Sequence, residues 1–333
     1  MKFGPQAGAA VLGAALLVAI AGRLFLGSTG FGWPDADIVR YRVAATAAAC
    51  AVGAALAISG LFLQVLLRNP LASPFVLGLS SGAGFGYMLA MYLAWRFGLG
   101  LDGFFGVAAP VVAATLGSLV TLGVVWRIGS RPAGDSAVAD PVTLVLAGVV
   151  VSAIAGAGST ALQSLVPAGL RGDFVAWMMG RIPDAPPVSL LVTVAVLALA
   201  GTALGALLGP ALDAASLSDD EAISVGVALR PLRTGLFVFA GTLAAATVAL
   251  AGPIAFVGLV APHAARMLLG ARHRPLAVGS ALAGATLLVA ADAARQAVDL
   301  GGGRLPVGVL TAIAGGPIFL WLLRSTAGRR GAA

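Results

Sequence analysis

Nine stretches of this sequence contain no charged residue, and this feature limits the possible folds more than any other. They cover residues 3–22, 43–67, 69–95, 103–126, 141–170, 185–212, 234–265, 275–291 and 305–323. A helix needs roughly 20 apolar residues to cross a bilayer, and most of the stretches are long enough. Only 10% of the residues are charged, whereas soluble domains carry about 25%. Because unpaired backbone groups are too costly in hydrocarbon, we predict an all-α, polytopic membrane protein.

The charges near the two ends of the chain indicate how many helices cross the membrane. Lys2 precedes the first apolar stretch, and the last is followed by Arg324, Arg329 and Arg330. Basic residues favour the cytoplasmic side, so both termini are predicted to be cytoplasmic and the number of crossings to be even. The stretch 234–265 carries Gly252-Pro253 near its middle, a pair that breaks helices. Splitting it there gives ten transmembrane helices in one domain over residues 1–333, with the first stretch retained as helix one.

Several kinds of chemistry are excluded because the chain lacks the residues for them. Lys2 is the only lysine, so no phosphate-binding loop of the form G-x-x-x-x-G-K-[ST] can exist. His263 and His273 do not form an H-E-x-x-H zinc motif, and the single Cys50 allows neither a disulfide nor a thiolate metal site. The net charge of +7 is spread over many loops, which argues against nucleic-acid binding. We therefore predict neither an enzyme nor a bound cofactor.

Acidic residues are scarce inside the apolar stretches, which bears on the energy source. Ion-coupled carriers keep such residues at mid-membrane for function, whereas here the acids lie in loops or at helix ends. Asp292 is the nearest exception, and it can pair with Arg295 across about one turn. The pattern favours a conduit driven by a separate protein. A self-sufficient secondary transporter is the alternative, and an intramembrane hydrolase is disfavoured because no histidine lies inside a span.

Four stretches resemble the permease family of type II ABC importers for iron-siderophores, haem and cobalamin. They are ALAISGLFLQVLLRNPLASPFVLGLSSGAGFG (Ala55–Gly86), WMMG (Trp177–Gly180), GPIAFVGLVAPHAARMLLG (Gly252–Gly270) and LPVGVLTAIAGGPIFLWLL (Leu305–Leu323). The resemblance implies ten helices per subunit in the bacterial inner membrane. It also implies a homodimer with two ATP-binding cassette subunits and a periplasmic binding protein. The implied substrate is a metal chelate, with iron-siderophore as the first expectation and cobalamin or haem next.

The resemblance also assigns a cytoplasmic gate to the turn between helices two and three. Pro70 and Pro74 should end one helix and delay the next. The gate would consist of Asn69, Pro70, Leu71 and Ala72, although an ordinary tight turn remains an alternative. The glycines that follow at every fourth position, Gly78, Gly82 and Gly86, are interpreted as a packing face.

A charged inner segment, Leu212–Arg233, resembles the family's loop that couples to the ATPase. An acid, an alanine and a glycine stand at the family's spacing, as Asp219, Ala222 and Gly226. We expect a short helix here, with its acidic residues at the positive end of its dipole and the glycine at the following turn. The alternative is a solvated loop helix without a partner.

Basic residues at outer helix ends resemble those that receive the binding protein. Arg42 and Arg295 match two family arginines, and Arg40 can substitute for a third from one position later. Tyr41 and Arg304 depart from the pattern, and contact with lipid headgroups is the alternative role. The family's second gate corresponds to Ala137–Leu144, where Asp140-Pro141 replaces the expected hydroxyls, so no gate residue is assigned there.

Overall fold

A computed structural model describes residues 4–27, 30–32, 35–99, 104–130, 140–297 and 304–330. Its α-helices are α1 (Pro5–Phe25), α2 (Ala36–Leu66), α3 (Leu79–Arg96), α4 (Phe104–Gly129), α5 (Pro141–Leu165), α6 (Ala168–Met178), α7 (Val188–Leu207), α8 (Gly209–Ala215), α9 (Asp219–Ser224), α10 (Leu229–Ala251), α11 (Val257–Leu269), α12 (His273–Ala297) and α13 (Val307–Arg330). A 3₁₀ turn at Pro74–Leu77 precedes α3. The two-residue strands β1 (Leu26–Gly27) and β2 (Gly30–Phe31) pair antiparallel. The predicted all-α class is confirmed.

In the part of the chain that the structure describes, ten α-helices contain at least 13 residues, and three are shorter, α6, α8 and α9. Of the ten longer helices, seven are long and apolar enough to cross a membrane: α1, α2, α4, α5, α7, α10 and α12. The apolar parts of α11 and α13 are shorter, and α3 has 18 residues. The multi-pass architecture is therefore clear, while the number of ten crossings stays a prediction.

The predicted helix break at Gly252-Pro253 is confirmed. Helix α10 ends at Ala251 and α11 begins at Val257. Gly252 has a φ of 70°, and a Cβ there would lie 2.6 Å from the carbonyl oxygen of Trp177. Only glycine satisfies both the left-handed backbone and this close approach.

Helix α2 lies at the centre of the bundle, and 89% of its apolar span is buried. It packs against α7, α10, α11 and α12. A Cβ on Gly60 would lie 1.7 Å from the carbonyl oxygen of Gly258 in α11, and one on Gly53 would lie 2.3 Å from that of Gly284 in α12. Glycine at these crossings lets the backbones touch, which is how apolar helices gain packing energy in lipid.

The glycines at every fourth position in α3 serve the packing role predicted for them. A Cβ on Gly82 would lie 2.6 Å from the carbonyl oxygen of Gly117, and one on Gly86 would lie 2.1 Å from that of Ala113, both in α4. Gly78 differs, because it adopts a φ of 81° at the turn where α3 begins.

Several helix boundaries differ from the apolar stretches, and two of them bear on the ends of the bundle. Helix α2 begins at Ala36 and contains 31 residues, about 46 Å at 1.5 Å per residue. It is therefore longer than the hydrocarbon core, and its first turns can carry Arg40 and Arg42 beyond the apolar layer. Helix α10 begins at Leu229, before the stretch that starts at residue 234. Below, the end of the bundle where α2 ends and α10 begins is called the inner end, and the end where α1 and α12 end is called the outer end.

Candidate functional site

Helix α2 ends at the inner end in a turn with Arg68 in the left-handed conformation. The φ angle of Arg68 is 46°. The N–H of Asn69 donates to the carbonyl of Gln64 at 3.1 Å, and the N–H of Arg68 donates to that of Val65 at 3.2 Å. These two bonds define a Schellman motif, whose left-handed position normally holds glycine. The backbone alone gives no reason for an arginine here.

The four predicted gate residues form the turn that follows. The Oδ1 atom of Asn69 accepts a hydrogen bond from the N–H of Leu71 at 2.9 Å, and the carbonyl of Asn69 accepts one from the N–H of Ala72 at 3.0 Å. Asn69, Pro70 and Leu71 are exposed, whereas Ala72 is buried. The gate turn, residues 69–72, is thus a hydrogen-bonded surface turn at the inner end, and its gating role stays a prediction.

The predicted coupling segment comprises α8, α9 and the residues that join them to α7 and α10. A capping box begins α9. The Ser218 Oγ accepts from the N–H of Glu221 at 3.2 Å, and the Glu221 carboxylate accepts from the N–H of Ser218 at 2.9 Å. Such reciprocal bonds fix the start of a helix. The Glu221 carboxylate also accepts from the Ser218 hydroxyl at 2.8 Å, and the bonds from the Ser218 N–H and hydroxyl lower the pKa of Glu221.

Gly226 ends this short helix as predicted, with a φ of 83°. The N–H of Val227 donates to the carbonyl of Ala222 at 3.0 Å, as in a Schellman turn. Ala222 is fully buried, so it packs inside the protein and is absent from the surface of the segment.

Asp219 lies between two arginines from distant parts of the chain. Its Oδ1 accepts hydrogen bonds from Nη2 of Arg68 and, at 2.7 Å, from Nη2 of Arg233, while Oδ2 accepts from Nη1 of Arg233 at 3.3 Å. The side chain of Arg233 is 4% exposed, that of Arg68 29% and that of Asp219 41%. Partial burial acts to raise the pKa of Asp219, but the bonds and charge of Arg233, and then of Arg68, outweigh it and hold that pKa below its ordinary value. We call these three residues the inner triad.

Two further contacts fix the coupling segment to the bundle. The Nε of Arg68 donates to the carbonyl of Ala215 at the end of α8, at 3.1 Å. The Asp213 Oδ1 accepts from the N–H of His273 at 2.9 Å and lies 2.7 Å from its Nδ1, so Asp213 caps the first turn of α12. The segment is therefore tied to α2, α10 and α12. Sequence reasoning missed these ties because no spacing rule links residues so far apart along the chain.

The coupling segment exposes three large apolar side chains. Leu217, Ile223 and Val225 are 54%, 60% and 68% exposed, although they lie outside the apolar helices. Exposed apolar groups of this kind mark interaction surfaces. Of the three residues predicted for coupling, Asp219 and Ala222 thus hold the segment in place and Gly226 shapes its turn, while this surface consists of other residues.

At the outer end, the two predicted docking arginines of α2 differ in their surroundings. Arg40 is exposed, with its guanidinium carbon 5.3 Å from the centre of the Tyr41 ring. Arg42 is half-buried, and its Nη1 donates to the carbonyl of Leu24 at 2.5 Å. Arg304 also lies exposed at this end.

The third predicted docking residue, Arg295, belongs to a buried charge cluster. Its Nε donates to Oδ1 of Asp292 at 2.7 Å, which confirms the expected pairing across one turn, and Nε of Arg23 donates to Oδ2 of the same carboxylate. The side chains of Arg23, Asp292 and Arg295 are only 3%, 0% and 6% exposed. Asp184, which is 63% exposed, lies 3.8 Å from Arg295 and 4.0 Å from Arg23. We call Arg23, Asp292 and Arg295 the outer triad.

The unassigned region before α5 has a structural role in its described part. Asp140 caps α5 and accepts from the N–H of Thr143 at 3.1 Å, with Pro141 in the first turn. Residues 131–139 lie outside the described ranges. Within α5, the amide of Gln163 donates to the carbonyl of Ser159 in its own helix at 3.3 Å.

The four stretches that carry the family resemblance meet around one cavity of about 330 Å³. Each stretch contributes at least two of its lining residues, which are Phe75 and Ser80, Met178 and Met179, Pro253 and Ala255, and Gly308, Val309, Ala312 and Ile313. The N–H of Gly308 donates to the carbonyl of Gly180 at 3.3 Å. Among the described residues, no group of three or more acidic, histidine or cysteine side chains is arranged to hold a metal ion.

The sequence of this chain is similar to those of known transport proteins. The FecCD transport family matches residues 24–325. The hemin transport system permease protein HmuU of Yersinia pestis is 36% identical over 275 residues, covering 83% of this chain and 79% of that protein. The vitamin B12 import system permease protein BtuC of Vibrio vulnificus is 36% identical over 288 residues, covering 86% and 82%.

A third relative and one solved structure are also similar to this chain. The molybdate import system permease protein MolB of Haemophilus influenzae is 33% identical over 283 residues, covering 85% of this chain and 79% of that protein. A structure described as an inward-facing metal-chelate type ABC transporter matches with a TM-score of 0.81 and 28% identity, covering 96% of this chain and 99% of that one. The chain therefore belongs to the FecCD transport family and is a multi-pass inner-membrane permease subunit of an ABC importer.

Proposed function

We propose that this chain, as one permease domain with ten membrane crossings, pairs with a second copy to form the translocation pathway for a metal chelate. The chelate is an iron-siderophore by first preference, with cobalamin or haem next. A periplasmic binding protein delivers it, and two separate ATP-binding cassette subunits supply the energy. The observation that carries the proposal is the coupling segment, which exposes apolar side chains outside the spans and is ion-paired to the residue next to the gate turn.

The exposed face of α5 supports a pathway or pairing surface there. Thr160 and Ser164 are exposed, and their hydroxyls bond only to carbonyls of their own helix among the described residues, those of Gly156 at 3.0 Å and Ala161 at 2.7 Å. Hydroxyls that face lipid gain little, whereas hydroxyls that face water or another helix can form a further bond. We therefore propose that α5 faces the pathway or the second copy.

We assign three further roles within this proposal. The gate turn, Asn69 to Ala72, closes the inner end of the pathway. The apolar surface of the coupling segment, shaped by Asp219, Ala222 and Gly226, enters a groove on the ATPase. At the outer end, Arg40, Arg42 and Arg295 receive the binding protein, and of these Arg40 is exposed, Arg42 half-buried and Arg295 buried. Exposed charges of this kind would mainly steer association.

Reconstitution tests the proposal. The permease is placed in liposomes with its ATPase and binding protein, and uptake of ferric siderophore, cobalamin and haem is measured with and without ATP. We expect ATP-dependent uptake of one of the three. Uptake by the permease alone, driven by an ion gradient, would instead establish a secondary transporter.

A glycine pair tests the coupling assignment. Gly226 and Gly98 are both exposed, both have positive φ (83° and 62°), and a Cβ on either would meet nothing within 4 Å. They differ in position, because Gly98 follows α3 at the outer end. We expect Gly226→Arg to abolish ATP-coupled uptake and Gly98→Arg to retain it. Equal uptake by the two folded variants would refute the coupling role.

A further inference from the structure

We propose that Arg68 is a positioning residue that transmits movement of the coupling segment to the gate turn, through its bonds to Asp219 and Ala215. This inference rests on the proposed function, since it takes residues 69–72 as the gate and α8–α9 as the ATPase contact. It assigns a role to a residue that precedes the gate and belongs to neither predicted set.

The first argument is the conformation of Arg68. Its φ of 46° lies in the region that glycine and, next, asparagine adopt most readily. Gly226 and Gly78 hold comparable left-handed positions in this protein, with φ of 83° and 81°. An arginine at such a position is explained by its side chain, which bonds both the Ala215 carbonyl and the Asp219 carboxylate.

The second argument is the asymmetry of the inner triad. Arg233 is buried and makes two bonds to Asp219, so Asp219 is held firmly to the start of α10. Arg68 is more exposed, and its two acceptors both lie on the coupling segment. A displacement of that segment therefore acts directly on Arg68, whose neighbour Asn69 is the first residue of the gate turn.

The third argument is the space beside this contact. A cavity of about 410 Å³ lies against Arg68 and Pro70, and its lining also includes Gln64, Asp213, Arg266 and His273. Close-packed interiors resist such movements, whereas open volume next to the gate turn allows it to shift without displacing a neighbouring helix.

The experiment follows the gate turn with a spin label in the complete complex. The chain has one cysteine, so Cys50→Ala with Leu71→Cys carries a single label per permease. Label mobility is measured in the permease–ATPase complex, without nucleotide and with ATP plus vanadate, alongside ATP hydrolysis and thermal unfolding. Arg68→Gly and Arg68→Asn keep a residue suited to the turn and remove the tether, while Arg68→Lys retains the positive charge.

We expect the nucleotide-induced change in the label to fall by about fivefold or more in Arg68→Gly and Arg68→Asn, the lower range of allosteric coupling, while hydrolysis continues. Arg68→Lys should recover part of the response. The matched control is Arg272→Gln, which removes an exposed arginine from the lining of the same cavity and should leave the response unchanged.

The outcomes separate the two proposals. Suppose that the label responds to ATP in the protein that retains Arg68, and that it responds equally in the folded Arg68→Gly and Arg68→Asn proteins. The tether is then refuted and the proposed function stands. If no complex with the ATPase forms, or if the label does not respond to ATP even in the protein that retains Arg68, the gate and coupling assignments themselves fail. If Arg272→Gln loses the response to the same extent, the response depends on positive charge at the inner end and not on the contact of Arg68 with the coupling segment.

Discussion

The two ends of the molecule carry the same arrangement of charges in opposite surroundings. At each end one aspartate lies between two arginines, Asp219 in the inner triad and Asp292 in the outer triad. Asp292 is fully buried, whereas the side chain of Asp219 is 41% exposed. The same combination of one aspartate and two arginines therefore has different energetic consequences at the two ends.

The difference lies in the cost of breaking each triad. A buried ion pair contributes little net stability against an apolar core, but removal of one partner leaves an uncompensated charge in a low-dielectric region. A pair near water can break and re-form, because solvent replaces the lost partner. The outer triad thus suits a permanent link between α1 and α12. In the inner triad, the partly exposed pair of Arg68 and Asp219 can shift during a transport cycle, while buried Arg233 keeps Asp219 at the start of α10.

The largest expected effect is the loss of the buried carboxylate. Asp292→Asn leaves Arg23 and Arg295 without their shared counter-ion, and we expect a loss of about 3–5 kcal/mol in the free energy of unfolding. Denaturant unfolding in detergent micelles measures it. Asp184→Asn is the control, because that side chain is 63% exposed and lies 3.8 Å or more from both arginines. Similar stability of the two variants would contradict the distinction between the ends.

Replacement of the whole outer triad sharpens the comparison. In Arg23→Met/Asp292→Leu/Arg295→Met the outer triad contains no charge, so we expect stability to return to the parent value or to exceed it by about 1–4 kcal/mol. The same denaturant measurement applies. A triple variant as unstable as Asp292→Asn would show that the charges themselves hold α1 to α12.

Loss of the inner carboxylate should have a smaller effect on stability. We expect Asp219→Asn to lower the free energy of unfolding by about 1–3 kcal/mol, because the pair with Arg68 is partly solvated, while buried Arg233 loses a charged acceptor but keeps an amide oxygen. Its effect on ATP-coupled uptake should be much larger than its effect on unfolding. A loss of several kcal/mol would instead place the inner triad in the same class as the outer one.

The smallest expected effect is the pH dependence of the stability that Asp219 contributes. The pKa of Asp219 is held below the ordinary 3.8, so its contribution to stability is complete above that value and is lost as the pH falls through the lowered pKa. The difference in thermal unfolding between the parent and Asp219→Asn should stay constant from about pH 8 to 5 and vanish only in stronger acid. A difference that changes between pH 6 and 7 would implicate another group.

Local signals explain what could be predicted from the sequence. The apolar stretches give the helices, Gly252-Pro253 gives the break in 234–265, and Arg68-Asn69-Pro70 gives the end of α2, since each depends on neighbouring residues only. The glycines of α3 likewise predict a packing face because their spacing repeats every turn.

The remaining features depend on contacts between distant residues. Asp219 is 151 positions from Arg68, and Asp292 is 269 positions from Arg23, so these two contacts could not be predicted from the sequence, whereas the pair of Asp292 with Arg295, one turn away, could. The burial of Ala222 was missed for the same reason, because a small residue fits a partner's groove and its own protein's core equally well.

The glycine crossings of α2 have one more consequence. With its backbone against α11 at Gly60 and against α12 at Gly53, α2 cannot rotate or slide along its axis without collisions. We therefore expect these three helices to move together as a rigid body. Because α2 carries Arg40 near one terminus and Arg68 just beyond the other, a small tilt imposed on one side of the membrane would displace both.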